Sequence, residues 1–285
     1  MEQPSLKEIF GSYMAWKLDS STWIISFMNG TEYMYLLEGE EKALLIDTGY
    51  GAGNLRAFVE KLTDKPIVTA NTHFHPDHSA GNGEFEKVYV SAGWEIDAPS
   101  VYGQGAVPFD LSELPYPDYE KVIVGDGYMF DLGGRKVEVL DAKPAHCNSS
   151  LFFLDRGHRM LFPGDEYESA QTNMFDNSNN PDAPYDVKDR LDNLKSNAEG
   201  LIALSADYDM VLPNHNGTPI AKDYLQHYVE LVDAIYAGKA MIEDKLNHPF
   251  IEMDPKASTL CRVRFQDVSI FIRKDLVMTV YGSRK

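Results

Sequence analysis

The chain has 285 residues, which is enough for one large domain or two small ones and for a sizeable core. Its 44 acidic and 26 basic residues give a net charge of −18, and such a surface repels phosphate backbones and anionic membranes, so we expect no nucleic-acid and no membrane partner. The two cysteines do not make a disulfide framework in a chain of this length, and the amino end lacks a basic segment followed by a long apolar run, so the sequence predicts a cytoplasmic protein.

The first half of the chain is predicted to begin with an antiparallel meander. Its short β-type segments are separated by turn residues, and the predicted strands are residues 22–28, 33–38 and 42–47. A helix is predicted after them at residues 54–62, because apolar side chains recur there on one face. This order indicates a sheet with a helix packed on it.

Three imidazoles and a carboxylate lie within six residues, just behind the strand predicted at residues 67–69. They are His73, His75, Asp77 and His78. His73 and His75 can point to the same side because they are two residues apart, whereas Pro76 redirects the chain that follows it. One loop can therefore serve two neighbouring metal ions. Imidazole and carboxylate are the ligands expected for Zn²⁺, with Mn²⁺ or Fe²⁺ as alternatives, and further ligands must come from elsewhere in the chain.

Those further ligands follow three other predicted strands. His146 follows the strand at residues 136–140, Asp165 follows residues 159–162 through a Pro-Gly turn, and His215 follows residues 210–212 through Pro-Asn. Each of these polar residues closes an apolar strand. The pattern predicts that they lie at the same edge as the His73 loop.

Two segments without a clear hydrophobic period are predicted as long surface loops. Residues 94–120 are rich in Pro, Gly and Tyr, and residues 166–185 are polar and form a candidate lid on the metal side. Trp94, Tyr167 and Phe175 are the candidate substrate contacts in these loops. Aromatic side chains in a loop also serve to anchor it to the core, and this alternative stays open.

The second half of the chain alternates strands and helices. Helices are predicted at residues 187–204 and 221–237, from apolar residues at helical spacing. The remaining predicted strands are residues 87–90, 121–124, 128–132, 136–140, 150–155, 159–162, 210–212, 261–265, 268–273 and 276–281. Strands, helix, strands, helix and strands predict an α/β protein with two sheets and helices outside them.

The pattern HxHxDH, followed by a separate His, Asp and His, resembles that of the metallo-β-lactamase-fold hydrolases over residues 23–217. The resemblance implies a four-layer αββα sandwich and a single domain over residues 1–285, with loop insertions near 94–120 and 166–185. It also implies two divalent metal ions. One would be bound by His73, His75 and His146, the other by Asp77, His78 and His215, with Asp165 bridging them.

Two neighbours of these ligands have an open role. Asp47 ends a predicted strand, and it either belongs to a helix-capping segment or holds a metal-binding His by a hydrogen bond. Cys147 stands beside His146 in Pro144-Ala145-His146-Cys147-Asn148-Ser149-Ser150, where the family commonly has Pro-Gly-His-Thr-Pro-Gly-Ser. Cys147 either touches metal or substrate, or fills the Thr position as a small buried residue.

The resemblance implies a hydrolase in which a metal-bridging hydroxide attacks the substrate and Asp77 protonates the leaving group. We predict a small, weakly charged ester, lactone or thioester as the substrate, because acidity and the lack of a basic groove disfavour nucleic acid. The alternatives are a phosphodiesterase for a small nucleotide or phospholipid, and a non-catalytic metal-binding or sensing module. Family members with a di-iron centre resemble HxExDH, whereas His75 occupies that Glu position here.

Overall fold

The structure is a computed structural model, and it describes residues 13–27, 32–51, 54–102, 118–174, 185–244 and 260–284. Seven strands form the first sheet in chain order: β1 (Met14–Lys17), β2 (Thr22–Phe27), β3 (Glu32–Glu38), β4 (Ala43–Ile46), β5 (Ile67–Ala70), β6 (Lys87–Ser91) and β7 (Glu120–Val124). Strands β1 to β4 are antiparallel, and β4 to β7 are parallel. The carboxyl ends of the parallel strands meet at one edge, where ligands bind in open α/β sheets.

Short helices connect the parallel strands and cover the outer face of the first sheet. They are α1 (Leu55–Val59), α2 (Pro76–Ser79) followed by a 3-10 helix (Ala80–Glu84), and α3 (Trp94–Tyr102). Leu55 and Val59 bury their side chains against the sheet, and Asn54 caps α1 by accepting a hydrogen bond from the Ala57 amide. Pro76 is suited to the first position of α2, where a missing N–H costs nothing.

The second sheet faces the first. Its spatial order is β13-β11-β10-β9-β8, with the bounds β8 (Met129–Asp131), β9 (Lys136–Asp141), β10 (Leu151–Asp155), β11 (Met160–Phe162) and β13 (Met210–Val211). Side chains such as Tyr35 and Leu44 of the first sheet share a core with Val139 and Phe153 of the second. Helices α4 (Val187–Ala203) and α5 (Tyr224–Tyr236) lie on the other face of the second sheet. The predicted αββα sandwich is therefore confirmed.

A third sheet extends the sandwich and was not predicted as a separate element. Its spatial order is β12-β16-β15-β14, with the bounds β12 (Gln171–Asn173), β14 (Met241–Glu243), β15 (Leu260–Phe265) and β16 (Val268–Arg273). Its inner side chains, including Val263 and Ile270, share a core with α4 and α5. The sequence does not reveal this strand order, because β12 pairs with β16, which lies about a hundred residues further along the chain.

The strand predicted at residues 276–281 is wrong. The segment contains helix α6 (Lys274–Val277) and continues in turns, with the Tyr281 amide donating to the Val277 carbonyl. Leu276, Val277, Val280 and Tyr281 all pack on the core shared with α5, and their spacing is that of a helix face rather than a strand. These apolar residues recur with the period of a helix, whereas the prediction gave them the period of a strand.

The two predicted surface loops also differ from the prediction in their described parts. The first begins with helix α3 rather than with irregular chain, and Asp97 of this helix is buried. The second begins with the buried side chains of Glu166, Tyr167 and Glu168 and then adds β12 to the third sheet. The rest of these segments, residues 103–117 and 175–184, lies outside the described residues.

None of the helices in the described ranges combines the length and the apolar character that a membrane crossing requires.

A buried ion pair of the second sheet, Arg135 with Asp155, also contacts the first sheet at the end away from the His73 loop. Arg135 and Asp155 are almost inaccessible, and Arg135 Nε lies 2.6 Å from Asp155 Oδ2. The guanidinium also donates to the Ser21 carbonyl at 2.8 Å and to Thr22 Oγ1 at 2.9 Å. The second sheet is thereby joined to the first strands of the chain.

We expect Arg135→Met to lower the free energy of unfolding by about 3–5 kcal/mol, because the buried Asp155 carboxylate loses its guanidinium and keeps only the amide and ring of His158 as partners. The matched control is Arg156→Met, which removes a half-exposed pair with Glu138 and should cost less than about 1 kcal/mol. Urea unfolding measures both. Equal losses in the two variants would contradict the assignment of the buried pair as a structural tie.

Candidate metal centre

The candidate centre is built at the carboxyl ends of β4 and β5. These strands are parallel with Ile46 opposite Ala70, so Asp47 and Asn71 leave the sheet side by side. The Asp47 amide donates to the Ala70 carbonyl at 2.8 Å, and Asp47 Oδ1 accepts a hydrogen bond from the Thr72 amide at 2.7 Å. Asp47 itself adopts a left-handed backbone conformation, with φ 67°. The His73 loop therefore starts from a fixed position.

Helix α2 turns the chain back after His75. His75 is the N-cap residue with extended φ and ψ, and Pro76 begins the helix. The amides of His78 and Ser79 both donate to the His75 carbonyl at 3.0 Å. His73 and His75 thus lie before the turn, whereas Asp77 and His78 lie on it, as the sequence predicted for a loop that serves two positions.

The first of two ligand groups consists of His73, His75 and His146, all buried. His75 Nδ1 lies 3.1 Å from His73 Nε2 and 3.0 Å from His146 Nε2. Three ring nitrogens therefore converge on one point. A divalent cation with tetrahedral N-donor preference fits such a set.

The second ligand group consists of Asp77, His78, Asp165 and His215. His215 Nε2 lies 3.3 Å from His78 Nε2, and Asp77 Oδ2 lies 3.2 Å from His215 Nε2. Residues separated by more than a hundred positions thus come within contact distance. All seven residues predicted as ligands fall into the two groups.

Asp165 lies between the two groups. Its Oδ2 is 3.3 Å from His78 Nε2 and 3.4 Å from His215 Nε2, and it is 3.7 Å from His146 Nε2 in the first group. The other oxygen, Oδ1, is buried and has no hydrogen-bond partner. A buried carboxylate oxygen without a partner is costly, and a bound cation would satisfy it.

The two groups differ in their protonation. Burial lowers the pKa of His73, His75 and His146, to about 4 for His146. Burial would also lower the pKa of His78 and His215, but Asp165 and its carboxylate neighbours outweigh it and raise both well above the usual value for histidine. The first group is therefore neutral at pH 7 and offers nitrogen lone pairs, whereas the second shares protons with its carboxylates.

Each of three histidines is oriented by an acceptor on its Nδ1. His78 Nδ1 donates to Asp47 Oδ2 at 3.0 Å, and His146 Nδ1 donates to the Asn173 carbonyl at 2.6 Å. His73 Nδ1 donates to Thr72 Oγ1 at 3.0 Å, whose hydroxyl in turn donates to Asp47 at 2.6 Å. These bonds direct Nε2 of all three rings into the centre.

Other residues around the centre were not predicted as part of it. Asn214 Nδ2 donates to Asp47 Oδ2 at 2.7 Å, and Glu166 accepts the His146 amide at 3.2 Å. Both stand next to a predicted ligand in the sequence, and this adjacency was the available signal. The carbonyl of Asn173 binds His146 from β12, and the carboxylate of Asp97 binds the loop after His146 from α3. The sequence carries no such signal at either position.

The structure places the three candidate substrate contacts in different surroundings or outside the described residues. Tyr167 is a correction: its side chain is fully buried, and its hydroxyl donates to the Leu194 carbonyl at 2.6 Å in the core around α4. Trp94 is partly buried, with its ring 5.6 Å from that of Phe74, so it packs on the core, and a substrate role stays a prediction. Phe175 lies outside the described residues. Tyr167 was misassigned because an aromatic residue in a polar segment resembles a loop residue.

Cys147 is buried, and its Sγ lies 3.1 Å from Ser150 Oγ and 3.6 Å from Ser149 Oγ. Burial raises the pKa of its thiol well above the usual value. A neutral buried thiol among hydroxyls matches the interpretation that Cys147 fills a small position in the loop.

Comparisons with known proteins agree with this arrangement. Residues 29–215 match the family described as the Metallo-beta-lactamase superfamily. Acyl-coenzyme A thioesterase MBLAC2 of Gallus gallus is 27% identical over 175 residues, and the alignment covers 51% of this chain and 61% of the relative. The protein of the same name from Homo sapiens is 26% identical over 218 residues, covering 65% of this chain and 73% of the relative. The chain thus spans less than two thirds of the avian relative.

Two solved structures share the fold. A metallo-beta-lactamase from Pontibacter korlensis has a TM-score of 0.59 at 20% identity and covers 78% of this chain and 99% of its own. Rubredoxin oxygen:oxidoreductase from Desulfovibrio gigas has a TM-score of 0.55 at 17% identity, covering 79% of this chain and 63% of its own. At these identities the likeness concerns the fold alone. The family match spans more than half of the chain and includes the residues of both ligand groups, so the chain belongs to the metallo-beta-lactamase superfamily.

Proposed function

We propose that this protein is a metal-dependent hydrolase that uses two divalent cations to cleave a small thioester, within the wider class of esters, lactones and thioesters. The observation that carries the proposal is the pair of ligand groups joined by Asp165, whose Oδ2 lies within 3.8 Å of ring nitrogens in both. The thioester is preferred because the curated relatives carry the name of acyl-coenzyme A thioesterases.

The donor set fits two cations. His73, His75 and His146 would hold one ion, and Asp77, His78 and His215 the other, with Asp165 shared between them. Zn²⁺ suits three neutral imidazoles best, with Mn²⁺ or Fe²⁺ as alternatives. Such a pair of ions supplies Lewis acidity toward a carbonyl oxygen and lowers the pKa of bound water. No Ser or Cys nucleophile is required, which agrees with the neutral, buried thiol of Cys147.

Asp47 has the role of an orienting residue in this proposal. Its carboxylate accepts hydrogen bonds from His78 Nδ1 and from the Thr72 hydroxyl that receives His73 Nδ1. Both histidines are thereby held as tautomers with Nε2 free to act as a ligand. One carboxylate thus prepares one ligand of each ion.

Asp77 is the candidate for moving a proton. Its side chain is 22% exposed, more than those of the buried ligands, and its Oδ2 lies 3.2 Å from His215 Nε2. Burial would raise the pKa of Asp77, but the facing imidazoles hold it well below its usual range. The carboxylate is therefore ionised and placed to accept a proton and to return it to the leaving group.

The two buried glutamates next to the centre, Glu166 and Glu168, have raised pKa values, so their carboxylates are only partly ionised at neutral pH. Burial raises the pKa of Glu166 to about 7, and burial together with Asp165 raises that of Glu168 well above its usual value. The two carboxylates therefore repel an anionic substrate less than two fully ionised glutamates would. Thioesters of both neutral and anionic thiols belong in the test.

We expect metal-loaded protein to hydrolyse at least one thioester from a panel of thioesters, lactones and phosphodiesters. His75→Ala should lower kcat/KM by more than about 100-fold, because losing even an outer partner of a metal ligand commonly costs 10- to 100-fold. The matched control is His227→Ala. His227 lies on α5, outside both ligand groups, and pairs with Asp267. This variant should keep wild-type kcat/KM.

The outcomes of the panel separate the alternatives. Metal-dependent turnover of phosphodiesters but of no thioester would contradict the substrate proposal and favour the phosphodiesterase. Two bound ions without turnover of any panel member would favour a metal-binding or sensing module. An equal loss in the two histidine variants would argue against a role of the first group.

We also expect acid to weaken the second ion more than the first. His73, His75 and His146 have lowered pKa values and release no proton on binding at pH 7, whereas His78 and His215 have raised pKa values and must lose protons. In the pH range below the raised pKa values of His78 and His215 and above the lowered values of the first group, the affinity of the second group should fall roughly tenfold per pH unit for each proton released. Competition with a chromophoric chelator measures both Zn²⁺ affinities, and parallel changes in the two would contradict the assignment.

A further inference from the structure

We propose that Asp97, acting through Asn148 and Arg190, is a positioning residue that holds the loop of His146 in place and thereby sets the affinity of the first ligand group for its metal ion. The inference rests on the proposed metal-dependent function. Asp97 lies on α3 and binds the loop that carries His146, so its role would be exerted through that loop.

The carboxylate of Asp97 binds two consecutive residues of the His146 loop. Its Oδ2 accepts the Asn148 amide at 2.9 Å and the Ser149 hydroxyl at 2.6 Å, and its Oδ1 accepts Asn148 Nδ2 at 2.8 Å. Asp97 is only 1% exposed. Three hydrogen bonds to one buried charge are strong and directional, and the segment after His146 therefore has a fixed position.

The same carboxylate reaches the loop of the other two ligands. The hydroxyl of Ser149, which donates to Asp97, accepts a hydrogen bond from the Phe74 amide at 2.9 Å. Phe74 stands between His73 and His75 in the chain. Asp97 is thus connected, through a single hydroxyl, to both loops that carry ligands of the first group.

Arg190 of α4 holds the loop from its other side. Its Nη1 donates to the Cys147 carbonyl at 2.9 Å and more weakly to the Ala145 carbonyl at 3.4 Å, and these residues flank His146. Its Nη2 donates to Asn148 Oδ1 at 2.6 Å. The side-chain amide of Asn148 therefore connects the Asp97 carboxylate to the Arg190 guanidinium, and these charge-assisted hydrogen bonds span the loop.

The start of α3 is in direct contact with this loop. A Cβ atom on Gly93 would lie 2.1 Å from the Asn148 carbonyl oxygen, so only glycine permits the observed approach. The loop after His146 reads Cys147-Asn148-Ser149 and contains neither Pro nor Gly to restrict or shape it. We attribute its order to the side chains of Asp97 and Arg190 instead.

Asp47 serves both ligand groups, and Asp97 adds a second carboxylate that serves the first group. Asp47 orients His78 of the second group directly, whereas Asp97 acts on the loop of His146. His146 also keeps the bonds of its own amide to Glu166 and of its Nδ1 to Asn173, so loss of Asp97 should weaken the first ion rather than abolish it. The expected loss is about 10- to 100-fold in affinity, as for other outer partners of metal ligands.

The test is a Zn²⁺ titration of the full chain by chelator competition. Wild-type protein should bind two ions, and Asp97→Asn should lower one of the two affinities by about 10- to 100-fold. Asp97→Glu, which retains the charge, should restore part of the loss. Asp131→Asn, at an exposed turn where the side chain accepts the Gly133 amide and faces Lys136, is the control and should bind like wild type. Thermal unfolding of the metal-free variants identifies any that fail to fold, and for those Asn148→Ala provides the second variant.

Double variants assign the loss to one ion. In a His75→Ala background the first ion is already lost, so Asp97→Asn should not change the affinity of the ion that stays bound. In a His215→Ala background it should weaken the remaining ion by the full factor. Equal losses in the two backgrounds, or unchanged affinities in the single variant, would overturn the inference. Two-ion binding with the expected losses but no hydrolysis of any panel substrate would support the inference while rejecting the proposed function.

Discussion

A single buried carboxylate organises the metal-side edge of this fold. Asp47 has no exposed surface, and it accepts hydrogen bonds from the amide and hydroxyl of Thr72, from Nδ1 of His78 and from Nδ2 of Asn214. Burying an isolated carboxylate costs several kcal/mol, and four donors aimed at the charge offset that cost. Because the donors come from loops after β5 and β13, which belong to different sheets, the ends of both sheets are held around one anion.

The electrostatics of the centre explain why the arrangement calls for cations. In the first ligand group, buried imidazoles face one another through nitrogens about 3 Å apart, and their lowered pKa values leave lone pairs directed at a common point. Lone pairs so placed repel one another, and a cation at that point turns the repulsion into coordination. In the second group the carboxylates outweigh burial, raise the pKa of His78 and His215, and so favour the protonated imidazoles. The two groups therefore differ both in residue types, with carboxylates only in the second, and in charge.

How much the sequence could predict depended on whether the signal was local. His73, His75, Asp77 and His78 stand in one loop, and each remaining ligand directly follows an apolar strand, so the ligand set and the two facing sheets were both predictable. Asp97 was not, because its partners lie about fifty positions away and nothing near it marks a buried helix. Pairing of β12 with β16 is hidden for the same reason. The error at residues 276–281 was different in kind, since a short apolar run fits both a strand and a helix until its packing is known.

The seven ligands are not equally accessible, and this difference bears on how a substrate reaches them. The first group is buried, whereas the side chains of His215 and Asp77 in the second are 19% and 22% exposed. Among the described residues, the second group is therefore the more accessible of the two, with Asp77 as its most exposed side chain. Under the proposed function, the first group, whose lowered pKa values keep its imidazoles neutral, would serve mainly to fix the shared carboxylate, and the second group would meet the substrate. Asp47 orients one ligand in each group, and Asp97 adds a further hold on the loop of His146, so the buried first group is fixed by both carboxylates.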